Sequence, residues 1–286
     1  MDFRSGGWTN GFIGMTIFSG SLPATRAAVA AFDPVFLTSA RAAIAGLLAV
    51  ATLLALGERR PGGRDLLALT GVAIGVVLGF PLLTALALRH IDAAHSVVFV
   101  GLLPLSTALF AVLRGGERPR PLFWLFSTLG AALVAGFTLT RGGDGSLAGD
   151  GLMIAAIVVC GYGYAEGAKL SRRLGGWQVI SWALALSLPL AAAATLWLAP
   201  SSFAHIRAPA WLGLAYVSLF SMWIGFVFWY RGLAQGGAAA VGQLQLLQPF
   251  FGLGLAALLL GESVSAGMIL TAGLVVGCVA GAKRYA

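Results

Sequence analysis

Three glutamines, Gln243, Gln245 and Gln248, interrupt an otherwise apolar run that leads into Pro249. An amide in hydrocarbon needs a hydrogen-bond partner, so these side chains must face other helices or water rather than lipid. Gln245 and Gln248 stand three residues apart and share one helical face. His95 and Ser96 hold roughly the corresponding place in the first half of the chain, so both halves could offer polar groups to one cavity. Glu166, in another apolar stretch, is the acid that falls within a span. It either pairs with Lys169 and Arg173, at i+3 and i+7 on its own face, or lines a vestibule. Tyr162 and Trp223 sit deep enough in their segments to wall an apolar pocket. Such groups bind and release a solute.

Other chemistries lack their residues. The three histidines, His90, His95 and His205, show no metal-ligand spacing, and Cys160 and Cys278 each lie in apolar runs as small hydrophobes. No metal or other cofactor is expected. The Gly161-Tyr162-Gly163…Gly167 run has the wrong spacing for a dinucleotide fingerprint, and no Gly-Lys-Ser/Thr occurs to bind ATP.

Composition dictates what must position these groups. Of 286 residues, 59% are hydrophobic and only 10% charged, with a mean hydropathy of +0.91. A soluble fold lacks the polar surface to cover such a chain, so an all-α integral membrane protein is expected. The 18 basic residues against 10 acidic ones read as membrane topology, with no nucleic-acid partner implied. Segments of about 20 apolar residues fall near 8–29, 34–57, 65–88, 93–113, 121–140, 150–171, 177–198, 209–232, 237–260 and 264–282. Arg4 ahead of an apolar stretch imitates a signal peptide, but Asp2 weakens it and the run is too long. With a cytoplasmic N-terminus, thirteen Lys and Arg fall on the inner side and five on the outer. The positive-inside rule therefore places both termini in the cytoplasm, in a multi-pass protein of the cytoplasmic (inner) membrane.

A shift of 145 residues carries Ala93-Ala94…Leu102-Leu103-Pro104 onto Ala238-Ala239…Leu247-Gln248-Pro249, and Gly116-Glu117 onto Gly261-Glu262. Two repeats, 1–144 and 145–286, are expected. Five spans each is an odd number, so the second repeat is inverted in the membrane, with a solute site near the midplane where the repeats meet. Pro104 and Pro249, at matched positions inside spans, are expected to act as hinges. Pro23 and Pro81 are weaker candidates. Glu117 and Glu262, at span ends, are assigned structural roles, bonding loop backbone or a nearby Arg. Gly71, Gly75 and Gly79, and likewise Gly273, Gly277 and Gly281, form small-residue stripes for close helix packing; the second is also a possible homodimer seam, so the chain is read as a monomer or homodimer.

The doubled Leu102-Leu103-Pro104…Gly116-Glu117 and Leu247-Gln248-Pro249…Gly261-Glu262 pattern resembles the drug/metabolite transporter superfamily, in its ten-helix EamA-type branch. Pro34 followed by Arg41 is similar to that branch as well. The resemblance implies a secondary transporter without enzymatic activity and brings to mind the YddG-type exporters of aromatic amino acids. The first span departs from small multidrug relatives, since no acid lies between Asp2 and Asp33 to carry their proton coupling. An apolar to aromatic cavity with few charges suits a neutral or zwitterionic solute. Arg26 and Arg41, the only buried cations in reach of an anion, are both placed where they can snorkel outward. The expectation is export of amino acids, aromatic or otherwise neutral, by alternating access. Multidrug or other metabolite efflux is the alternative; a lipid-modifying enzyme is more remote.

Overall fold

The computed structural model describes residues 3–87, 89–91, 96, 99–139, 146–260 and 266–286. His95 and Glu262 lie outside these residues, as does the side chain of Arg26. The described residues form ten helical rods and no strand. In chain order they are α1 (Phe3–Ser19 and, past Gly20, Ser21–Val29), α2 (Pro34–Ala55), α3 (Gly63–Ala87), α4 (Leu103–Gly115), α5 (Pro121–Leu139), α6 (Leu147–Leu174), α7 (Gly176–Trp197), α8 (Ala208–Gly236), α9 (238–260) and α10 (Ala266–Tyr285). Six of them (α2, α3, α6, α7, α8 and α10) are each long and apolar enough to cross a bilayer unaided. Large apolar side chains such as Leu54, Leu67, Leu196, Leu258 and Ile269 point outward, where lipid replaces water as solvent.

Local chemistry sets the ends. Asp33 caps α2, its Oδ1 accepting from the Val35 and Phe36 amides at 2.8 and 3.2 Å, while Pro34 takes the first helical position. Gly116, at φ 69°, ends α4 in the left-handed region and turns the chain back at Glu117.

Packing follows the sequence repeat. α1 packs on α8, and its counterpart α6 on α3; α4 packs on α6, and α9 on α1; α2 meets α7, α4 meets α9 and α5 meets α10. Adding five to each rod number turns every one of these pairs into another of them or into itself, the pairing of two inverted five-helix repeats. The repeat reaches the backbone too. Ala73–Gly79 of α3 and Val217–Ile224 of α8 are both π-helical, and the 145-residue shift lays the first on 218–224. Wide turns of this kind expose backbone and recur at functional sites.

Lipid supplies no hydrophobic drive between helices, so close van der Waals contact must hold them. At the α1–α8 seam a Cβ added to Gly232 would stand 2.5 Å from the Gly11 amide nitrogen; at the matching α3–α6 seam one added to Gly75 would stand 2.6 Å from the Val159 carbonyl. Gly71 faces the Tyr162 ring of α6, whereas Gly79 meets the Ile74 carbonyl of its own helix before the Val159 side chain of α6. Gly273 and Gly277 differ from expectation: a Cβ at either meets nothing within 4 Å, and only Gly281 of that stripe touches a neighbour, Phe126 of α5. Gly273 and Gly277 lie on the exposed side of α10, while α5 packs against its other side.

Arg120 donates its amide to the Tyr285 carbonyl at 2.9 Å, and the Lys283 ammonium lies 4.4 Å from the Trp8 ring centre. The start of α1 and the end of α10 thus share one face of the bundle with most of the basic residues, here called the basic end.

Candidate functional site

Where α1, α6, α8 and α9 meet, aromatic rings fill the middle of the bundle. Phe18 of α1 packs on Phe226 and Trp229 of α8 with ring centres 5.0 and 6.0 Å apart; Tyr164 of α6 packs on the same two rings at 6.1 and 5.6 Å. Tyr230 extends the cluster and donates its hydroxyl to the Gly163 carbonyl at 3.2 Å. Trp229 and Tyr230 are fully buried.

The α9 glutamines enter this column. Residues Gln243–Leu247 wind as a 3-10 helix between Ala238–Gly242 and Gln248–Leu260. Three residues per turn eclipse i and i+3, which keeps Gln245 and Gln248 on one side. Gln245 Nε2 donates to the Tyr164 hydroxyl at 3.0 Å. Gln248 Nε2 reaches the Phe18 carbonyl at 3.5 Å, and the Tyr216 hydroxyl reaches the Ile17 carbonyl at 3.0 Å. Both carbonyls lie where α1 breaks at Gly20; that of Ile17 also accepts from the Gly20 amide at 3.2 Å, and side chains complete the bonding that hydrocarbon demands. Gln243 Nε2 returns to the Ala239 carbonyl at 3.4 Å. Gln243 Oε1, Gln245 Oε1 and Trp229 Nε1 are buried without a protein partner. Two acceptors and one donor thus stand unsatisfied in and beside an aromatic box.

Other expected residues fall elsewhere. Trp223 donates to the Ser181 hydroxyl of α7 at 3.0 Å, half-buried and off the column. Ser96 is buried. Tyr162 points away from Tyr164, toward the basic end, with Phe110 edge-on at 5.7 Å. It and Glu166 line a separate cavity of about 330 Å³ with Arg64, Asp65, Arg114, Lys169 and Arg173.

Glu166 does not pair along its own helix. Its Oε2 accepts from Arg114 Nε of α4 at 3.1 Å, while Arg173 bonds Asp65 of α3. The i+3 and i+7 spacing on α6 was a helical-wheel argument, and it yields to cations and acids presented by the packed neighbours. Glu117 accepts from the amides of Ala238 and Ala239 at 2.8 and 2.9 Å and from Arg172 at 2.9 Å, capping the start of α9.

Pro104 and Pro249 are each the second residue of a helical segment, Leu103–Gly115 and Gln248–Leu260. A missing N–H there removes no helical bond. The break precedes each proline instead, as the 3-10 stretch before Pro249 and the turn closed by Leu102 N–H on the Phe99 carbonyl at 2.8 Å.

Sequence reasoning missed Tyr164, Phe18 and Ser221. A usable signal existed for Tyr164: Cys160, Gly161, Gly167 and Ala168, one turn either way, leave room beside its ring, as a buried aromatic requires.

The EamA-like transporter family profile matches twice, over residues 6–139 and 147–282. The chain is 64% identical over 286 residues, 100% of each chain, to a Bacillus subtilis (strain 168) protein described as "Uncharacterized transporter YdeK". One solved crystal structure, 24% identical, covers 98% of this chain and 96% of its own with a TM-score of 0.82. That likeness shows the fold alone.

Proposed function

Because the chain belongs to the EamA-like transporter family, we propose that this membrane transporter exports small zwitterionic or neutral solutes, foremost amino acids with aromatic or other uncharged side chains. The observation that carries the reading is the Gln245–Tyr164 pair with its surroundings. The unpartnered Gln243 and Gln245 carbonyls suit an ammonium group, the Trp229 indole N–H suits an acceptor, and Phe18, Phe226 and Trp229 suit an apolar or aromatic side chain.

The repeats 1–144 and 145–286 would rock about this column, opening it to one side and then the other. Their paired π-helical stretches and the breaks before Pro104 and Pro249 are the weak points where such motion can occur. By the positive-inside rule the basic end would face the cytoplasm, which supports the cytoplasmic membrane as the location.

Uptake and counterflow in liposomes, with a panel of labelled amino acids and with or without a pH gradient, test this reading. Saturable movement of a neutral or aromatic subset is expected. Failure to move any amino acid, with movement of cationic amphiphiles instead, overturns it in favour of drug efflux.

A further inference from the structure

Arg41 lies seven residues into α2, about 10 Å along the helix from Pro34. A guanidinium at that depth has two ordinary resolutions, a carboxylate partner or an extended reach back to the interface. It shows neither. No ion pair to Arg41 occurs among the described residues, and Asp33, the nearest acid on its helix, is engaged by the α2 cap and by Arg89 at 3.6 Å. Instead of reaching outward, the guanidinium crosses to α8, where Nη2 donates to the Ser221 hydroxyl at 3.2 Å. Its Nε is buried with no partner.

Ser221 strengthens the same point. Its oxygen accepts from Arg41 and also from the Ser21 hydroxyl at 2.8 Å. Two hydroxyls therefore stand together beside the guanidinium. Ser221 belongs to the π-helical stretch of α8, and Ser21 follows the α1 break at Gly20, so two distorted or broken elements converge on one cation. One turn along α1 stands Phe18, a member of the aromatic column. The cation and the aromatic column thus both lie along α1 and α8, through Ser21 and Ser221 in one case and Phe18 and Phe226 in the other.

We propose that Arg41, with Ser221, binds the carboxylate of the transported solute. This rests on the amino-acid reading above, and it names the side chain that takes the anionic group of the solute. The fork of guanidinium donors matches the two carboxylate oxygens, and removal from water strengthens the pairing.

The test uses purified protein in liposomes, with wild type, Arg41→Gln and Arg41→Lys. For each amino acid that wild type moves, its decarboxylated amine is measured alongside. Arg41→Gln is expected to raise KM for the amino acid at least tenfold while leaving the amine within about twofold; Arg41→Lys, which keeps the charge, is expected to recover part of the loss. An unchanged KM in Arg41→Gln overturns the proposal. Should that variant fail to fold, competition on wild type decides: the amine must inhibit at least tenfold more weakly than the amino acid, and equal inhibition overturns it. Should wild type move no amino acid, the transport reading falls first. Benzoate binding, read by tryptophan fluorescence, then judges the anion site separately: binding lost in Arg41→Gln upholds it, and equal or absent binding overturns it.

Discussion

Glu117 reaches from the end of α4 to the Ala238 amide at the start of α9, 2.8 Å away and 121 residues on in the chain. With the Ala239 amide and Arg172 on the same carboxylate, one side chain joins the first repeat to two helices of the second. Its charge faces unpaired helix N–H groups, where an anion is favoured. Glu117→Gln keeps the shape but loses the charge and one acceptor. We expect destabilisation of about 1–3 kcal/mol, read as a lowered melting midpoint in detergent, with Glu117→Ala no milder. A midpoint equal to wild type for both would remove the cap from the account.

Gln245→Leu leaves the Tyr164 hydroxyl buried without its donor and removes an acceptor from the column. KM should rise about tenfold or more, since a missing partner to a buried polar group costs on the order of 1–3 kcal/mol. Tyr164→Phe should act in the same direction and less strongly, because the Gln245 amide can turn toward the solute. Transport at wild-type KM in both variants, at normal expression, places the solute elsewhere.

The Arg114–Glu166 pair should respond asymmetrically. Glu166 is 4% exposed but Arg114 is 47% exposed. Arg114→Ala strands a buried carboxylate and is expected to destabilise by on the order of 3 kcal/mol. Glu166→Gln leaves a guanidinium that water can reach, and its loss should stay near 1 kcal/mol. Chemical denaturation of both variants checks the order; equal losses contradict it.

Glycine replacements separate seams from lipid-facing stripes. Gly232→Val drives side-chain atoms into the α1 backbone, so severe loss of folded protein is expected by gel filtration. Gly277→Val meets open space and should leave the monodisperse peak intact. A collapse of the second variant would mean that α10 packs against another molecule.

Pro104→Ala with Pro249→Ala restores an N–H at first-turn positions, so stability should change by no more than about 1 kcal/mol. The added donors let each helix extend backward through the break. Turnover is expected to slow several-fold at unchanged KM, a split that stopped-flow counterflow can read. An unchanged turnover rate would show that neither break moves during transport.

Much of this was legible in order along the chain. Span positions, the inverted repeat and the family resemblance follow from apolar length and the doubled Pro…Gly-Glu pattern, because a bilayer fixes helix length and an odd repeat fixes inversion. The three α9 glutamines stood out for a similar reason: an amide in hydrocarbon is conspicuous in any register. What the chain order could not show is which polar groups meet. Arg41 and Ser221 are 180 residues apart, and Gln245 and Tyr164 are 81. No periodicity links them, since each pair is created by the crossing of separate helices. The helix-internal pairing argued for Glu166 failed on the same ground, as Arg114 on a packed neighbour offers a closer cation than a residue on the same helix. The outward turn of Gly277 and the π-helical stretches likewise depend on neighbours. Sequence determined the membrane-spanning frame, because burial in lipid acts on each segment alone. Only the tertiary structure decided the polar pairings inside it, because each needs two segments at once.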